Sequence, residues 1–276
     1  MSEIELHTTA SVSVIIPCYN SINTITRAVT SVFQQTSLPQ EVILIDDCSQ
    51  DDTLKLLYVL QAKYGEKWIK IISFTENRGP SAARNTGWEH AEAKYIAFLD
   101  ADDSWHPQKI EVQYGWMQKN PSIVLTGHPI RLADLNYQIP RYSQENVPVR
   151  QVMRAGLLWK NFFSTPTVMM KRNVSLRFDE DQSFAEDYLL WLKTLFFYGD
   201  VFLIKLPMAY MYKSAYGSSG LSSNLWLMEK GELQAYKKIF KAGCVTLVEY
   251  IMLTIWSVLK YLKRIAVRKL RGSYYD

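Results

Sequence analysis

The sequence predicts an α/β protein with a Rossmann-like, mostly parallel central sheet flanked by helices. Short apolar runs rich in Val and Ile recur through the N-terminal half, each is followed by a segment of helical spacing, and each ends in turn-forming or polar residues. Strands that alternate with helices of about 10 to 15 residues make βαβ units, and their parallel sheet must be covered on both faces.

The elements follow in order. Residues 12–16 are apolar and β-branched and stop at Pro17, which reads as a buried strand. Residues 23–35 place Ile25, Val29, Val32 and Phe33 at helical spacing, and residues 42–45 form a second strand. The acidic turn from Asp46 to Asp52 suits a loop and helix N-cap ahead of Leu54, Leu57 and Leu60. A third strand spans 69–74, Asn77-Arg78-Gly79-Pro80 opens a helix near Ser81, and a fourth strand spans 95–99. Beyond residue 119 the pattern loosens, with strands expected at 123–126 and 166–170 and an extended loop over 131–150. Residues 183–198 form a helix opened by a Ser183–Glu186 capping box, and 201–205 and 208–212 read as edge strands.

Composition bounds the function. The chain has 276 residues, 48% hydrophobic and 21% charged, which fits a packed globular protein and excludes disorder. The formal charge of +4 divides unevenly: residues 1–229 carry 21 Lys and Arg against 24 Asp and Glu, while residues 230–276 carry 10 against 3. A body of net negative charge argues against nucleic acid, and a basic tail points to an anionic surface. This divides the chain into a body over 1–229 and a helical tail over 230–276. Three scattered cysteines form neither a disulfide framework nor a zinc site and suit a reducing compartment. The N-terminus lacks the pattern of a secretory signal, so a cytoplasmic location is expected.

Ligands of open α/β sheets sit beyond the carboxyl ends of the strands. Here those ends carry Pro17, Tyr19 and Asn20, then Asp46 and Asp47, then Asp100, Asp102 and Asp103. Such a concentration of carboxylates calls for a cation or a donor-rich ligand. Asp100-Ala101-Asp102 sends two carboxylates to one side, where a hard cation, Mg2+ or Mn2+, keeps positions open for phosphate oxygens; a solvated capping turn is the plainer alternative. Arg84, on the helix between the acidic strand ends, adds a cation. His106 and His128 have no ligand-like spacing and read as surface or core histidines.

Ser13-Val14-Ile15-Ile16-Pro17-Cys18-Tyr19-Asn20, Val42-Ile43-Leu44-Ile45-Asp46-Asp47-Cys48-Ser49, Asn77-Arg78-Gly79-Pro80-Ser81-Ala82-Ala83-Arg84-Asn85 and Leu99-Asp100-Ala101-Asp102-Asp103 together resemble glycosyltransferase family 2 in order and spacing. The resemblance covers about residues 11–128 and resumes at Phe184-Ala185-Glu186-Asp187 with Trp191. It implies a GT-A fold whose first half, to 128, binds a nucleotide sugar and whose second half, 129–229, binds the acceptor. Pro17 and Tyr19 would shape the base pocket beside Asn20, and Asp47 would accept from the base N–H, which favours uracil. Asp46 would cap or order its loop. Arg84 would neutralise the diphosphate or order the Asp100–Asp103 loop. Asp102 and Asp103 would hold the metal, with Asp100 assisting at the donor. Asp187 matches the position of the general base, and Lys213 stands where many members carry His or Arg.

In the tail, residues 245–259 are nearly continuous in apolar side chains and lead into Lys260, Lys263, Arg264, Arg268, Lys269 and Arg271. The run is shorter than the roughly 20 residues of a spanning helix. Residues 245–271 therefore read as an interfacial helix, with Tyr250, Trp256 and Tyr261 at headgroup depth and the cationic face on anionic lipid. Packing on protein is the alternative, and self-association into a homodimer stays open. The resulting expectation is a peripheral, metal-dependent, inverting transferase acting from a UDP-sugar onto a lipid-linked glycan. A non-catalytic nucleotide-sugar-binding scaffold and an Asp-x-Asp phosphohydrolase remain as other classes; the hydrolase normally places its nucleophile on the first strand.

Overall fold

The computed structural model describes residues 8–134, 138–212 and 224–272. Four parallel strands form its N-terminal half: β1 (Thr8–Cys18), β2 (Ser37–Asp46), β3 (Ile69–Ser73) and β4 (Tyr95–Phe98). Helices α1 (Ile25–Phe33), α2 (Thr53–Tyr64) and α3 (Gly79–Glu89) connect them in turn. Both β1 and β2 extend beyond the predicted runs, pairing through Ala10 and Pro39 with a bulge just after.

The later elements are β5 (Ser104–Trp105), α4 (Lys109–Lys119), β6 (Leu125–Gly127), β7 (Ile130–Leu132), β8 (Val149–Gln151), α5 (Arg154–Trp159), β9 (Met169–Lys171), α6 (Glu186–Tyr198), β10 (Val201–Ile204) and β11 (Ala209–Met211). The main sheet has eight strands in the order β3-β2-β1-β4-β9-β6-β10-β8, and a second sheet has the order β5-β11-β7. The expectation of a mostly parallel sheet holds for β1 to β4; beyond them β9 runs antiparallel between β4 and β6, so the whole is mixed. Neither predicted edge strand lies at an edge: β10 is flanked by β6 and β8, and β11 by β5 and β7. Their partners β7 and β8 come from the two ends of 131–150, where the sequence suggested only loop.

The alternation of strand side chains explains why the runs are apolar throughout. Ile15, Ile43, Ile45, Ile96 and Phe98 enter one core with α6 residues such as Trp191. Val14, Val42, Leu44, Ala97 and Leu99 enter a second core with α1 residues Ile25, Val29 and Val32. His106 and His128 are buried, which selects the core reading of both.

Helix α6 begins at Glu186, and Ser183 makes no capping contact. Ala185 takes a left-handed turn, φ 55°, and the Glu186 carboxylate pairs with Arg84. That ion pair takes the acceptor a capping box would have used.

The charge division at residue 229 falls within α7 (Leu225–Lys241), whose Ala235, Tyr236 and Ile239 belong to the main core. Gln182 Nε2 donates to the carbonyls of Phe184 and Gly231, joining α7 to the segment that precedes α6. A Cβ at Gly231 would lie 2.3 Å from the Phe184 carbonyl oxygen, a backbone atom that cannot step aside. Gly231→Ala is expected to lower stability by about 1–3 kcal/mol, read as a shifted urea midpoint.

Helix α8 (Leu247–Gly272) returns along α7. The turn is encoded locally. Gly243, φ 71°, follows Ala242, the C-cap of α7, with Gly243 N–H donating to Phe240 O and Cys244 N–H to Ile239 O, and Thr246 and Glu249 then form a reciprocal capping box. The pair meets along a mixed seam: Leu253 joins the core that holds Ala235, Tyr236 and Ile239, while Lys260 binds Glu232 and Arg264 Nη2 lies 2.9 Å from Glu229 Oε2. This corrects the predicted orientation of the tail. Lys260 and Arg264 face α7, Tyr250 stacks on Phe240, Tyr261 packs on Trp226, and Trp256 packs on Trp159, because the α7 acids draw the cationic side inward.

Candidate active site

Strands β2 and β3 extend from one side of β1 and β4 from the other, so the strand order reverses between β1 and β4. The residues leaving these two strands line the crevice where such folds take ligands. Tyr19, just past β1, is 51% exposed and presents an open aromatic ring at this edge, while Pro17 is half-buried inside β1.

Asn20 ties the first loop to the second. At φ 46° its N–H donates to Ser49 Oγ at 3.0 Å and its Oδ1 accepts from Gln50 N at 2.8 Å. Asp46 is buried and accepts from Ser49 N at 3.3 Å, so it orders the loop. Asp47 holds the start of α3: its two carboxylate oxygens accept from the amides of Arg78 at 2.7 Å and Gly79 at 2.9 Å. Gly79 sits at φ 82°, where a side chain would be strained, so its part is the turn. Burial raises the Asp47 pKa above its ordinary value despite these donors. Each carboxylate oxygen retains a second lone pair, so the group can still accept from a ligand.

From the same helix, Arg84 is buried between two carboxylates, with Nη2 2.8 Å from Asp100 Oδ1 and Nη1 3.1 Å from Glu186 Oε1. Of the two roles expected for Arg84, the geometry displays the ordering one. It joins the turn after β4 to the first turn of α6, although Arg84 and Glu186 lie 102 residues apart. Asn85 Nδ2 donates to Phe178 O and Glu180, and Asn77 Nδ2 donates to Asp47 O; both fasten backbone.

Asp187 follows Glu186 and stays partly exposed. Its Oδ1 accepts from the Tyr188 amide at 2.6 Å and its Oδ2 from Thr165 Oγ1 at 3.4 Å. Desolvation, and after it the neighbouring Glu186 carboxylate, push its pKa up to about 7. A carboxylate with that proton affinity, accessible at the edge of a cleft, is suited to take a proton from a hydroxyl near neutral pH.

The acidic turn keeps Asp102 partly exposed and buries Asp103. No group of three or more His, Cys, Asp or Glu side chains that could hold a metal occurs among the described residues. Asp102, the partly exposed one, offers a hard oxygen donor of the kind Mg2+ takes, an ion that uses one or two carboxylates and completes its shell from phosphate and water. Sequence reasoning passed over Arg27 on α1. Its Nη2 donates to the Asp102 carbonyl at 2.6 Å and its guanidinium lies 3.6 Å from the centre of the Tyr212 ring, linking the acidic turn to the end of β11. A lone arginine on an amphipathic helix carries no motif that marks it. Of the predicted site residues, Lys213 lies outside the described residues; the others gather along the ends of β1, β2 and β4 and the start of α6.

Comparison with known proteins bears on the family and the fold. Over 188 residues, 67% of this chain and 69% of the relative, the sequence is 32% identical to the Escherichia coli UDP-Glc:alpha-D-GlcNAc-diphosphoundecaprenol beta-1,3-glucosyltransferase WfgD. The fold matches Staphylococcus aureus TarS 1-349 in complex with UDP-GlcNAc at a TM-score of 0.67 and 19% identity, covering 88% of this chain and 70% of TarS. It matches the Pyrobaculum calidifontis mannosyltransferase PcManGT, in complex with GDP-Man and Mn2+, at 0.65 and 18% identity, covering 95% of this chain and 76% of that one. Both likenesses establish the GT-A type of fold. The family model described as "Glycosyl transferase family 2" matches residues 13–178. With more than half the chain inside that match, and with the acidic strand ends and the Arg84 bridge in place, this protein belongs to glycosyltransferase family 2.

Proposed function

We propose that this chain is an inverting glycosyltransferase that moves a hexose or N-acetylhexosamine from a UDP-sugar to a hydroxyl of a lipid-linked glycan during assembly of a bacterial surface polysaccharide, an O-antigen, capsule or exopolysaccharide. The observation that carries this reading is Asp187, partly exposed, with a pKa near 7, joined through Glu186 and Arg84 to the Asp100 turn. WfgD, whose name specifies UDP-Glc and a diphosphoundecaprenol acceptor, supports the donor and acceptor classes.

In this reading Tyr19 stacks on the base, Pro17 and Asn20 shape its pocket, and Asp47 accepts its N–H. Asp187 takes the proton of the attacking hydroxyl, on the face of the sugar opposite the leaving diphosphate. Arg84 holds Asp100 and Glu186 in place, and Lys213 adds charge on the diphosphate side. Asp102 and Asp103 would hold Mg2+ or Mn2+, which when bound supplies positive charge against the departing diphosphate. The protein works as a peripheral protein on the cytoplasmic face of the inner membrane, with the helical tail as its contact; the free, widely separated cysteines suit that compartment.

The test is UDP release from a panel of UDP-sugars with and without a lipid-linked acceptor. Release that depends on acceptor is expected, whereas phosphate release from simple phosphoesters, or binding without turnover, overturns the reading. The base must be ionised to act, so kcat/KM is expected to fall about tenfold for each pH unit below about 7. A profile flat down to the ordinary aspartate range removes Asp187 as the base.

A further inference from the structure

Helix α8 sends Leu253 into the main core but leaves most of its apolar surface uncovered. Against α7 lie Ser257, fully buried, and the cations Lys260 and Arg264, paired with Glu232 and Glu229. Away from the protein stand Leu247, Ile251, Ile255, Val258, Leu259 and Leu262, each between 39% and 57% exposed. Their spacing puts them on one side of the helix, forming an apolar stripe about 22 Å long at 1.5 Å per residue. A water-soluble helix normally shows the opposite arrangement. Here two of the helix's cations, Lys260 and Arg264, are turned inward onto α7.

The stripe is too short for a hydrocarbon core of about 30 Å, and no helix among the described residues is long and apolar enough to cross a membrane. An occupant must therefore lie along it. A second copy pressed stripe to stripe would set two tails of like net charge, each with 10 basic residues against 3 acidic over 230–276, against one another. A bilayer interface takes up an apolar stripe without bringing in a second cationic tail, and where its lipids are anionic the exposed Lys263 at the margin of the stripe adds a minor attraction. We infer that α8 lies in the plane of a bilayer interface with this stripe inserted, and that apolar burial supplies most of the attraction. This rests on the membrane setting proposed above, but reverses which face of the helix meets lipid. Lys260 and Arg264 serve the α7–α8 seam, so the docking is expected to resist salt.

The test sediments the full chain with vesicles of phosphatidylcholine alone and of phosphatidylcholine with a minority of phosphatidylglycerol, at low and high salt. The wild type is expected to pellet with both and to stay bound in high salt. Ile255→Asp combined with Leu259→Asp is expected to reduce vesicle partition by about tenfold or more, whereas Lys263→Gln lowers it modestly and only on the anionic vesicles. Both aspartates would face solvent, so an unchanged melting temperature and unchanged UDP-sugar binding verify that the variant is folded. Three results overturn the inference: equal partition of wild type and double variant, binding confined to anionic vesicles and lost in salt, or a solution dimer that the double variant dissociates while neither protein pellets. Acceptor-dependent UDP release by the double variant, measured with a detergent-solubilised acceptor, separates failed docking from a wrong assignment of the reaction.

Discussion

Asp187→Asn is expected to lower kcat by about 10²- to 10⁴-fold, the usual contribution of a positioned base, while UDP-sugar affinity stays unchanged. Asparagine keeps the shape of the side chain and its contact with the Tyr188 amide, so what is lost is the ability to take a proton. The native carboxylate is held beside Glu186 with its pKa raised, so ionising it costs free energy in the folded protein. A group whose folded pKa lies above its unfolded value weakens the fold as pH rises through the interval between the two, here from about 4 to about 7. At about pH 8 the variant should therefore melt at the same temperature as the wild type or higher. Inactivity accompanied by a lower melting temperature would point to a structural role for Asp187.

Arg84→Met is expected to remove about 3–5 kcal/mol of stability, the typical consequence of taking one partner from a buried ion pair. Methionine fills much of the volume but leaves Asp100 and Glu186 facing one another without the guanidinium. Glu186 already has a raised pKa, chiefly from burial, with Arg84 acting to lower it. Without that cation its folded pKa rises further, so the variant binds an extra proton as it folds. Its deficit relative to wild type should accordingly widen as pH rises above the ordinary glutamate range, as measured by urea denaturation. A deficit independent of pH would mean that the arginine acts through packing on Phe178, which its guanidinium approaches at 5.3 Å.

The donor half was legible because its signals are local. Runs such as Val12–Ile16 are apolar on both faces of a covered sheet, and Pro17, Gly79 and the paired aspartates punctuate them at the strand ends. The same local logic failed at Ser183, where the capping pattern was present but a distant arginine claimed Glu186. Arg27 escaped notice because its partners, the Asp102 carbonyl and Tyr212, are brought to it only by the folded sheet. In the tail, the apolar run and its basic end marked a helix but not the way it turns on the body. Which side turns inward depends on Glu229 and Glu232 of another helix, and those read in isolation as ordinary surface acids.

The hairpin turn at Gly243, Thr246 and Glu249 also bears on biogenesis. Every described strand lies upstream of α7, so a nascent chain that grows at about 5–20 residues per second has the sheet available to fold before the last helix leaves the ribosome. The turn then closes from short-range signals alone, within about microseconds of its emergence. The apolar stripe of α8 is thus made after the sheet, on a body that is already able to receive the helix's inner side.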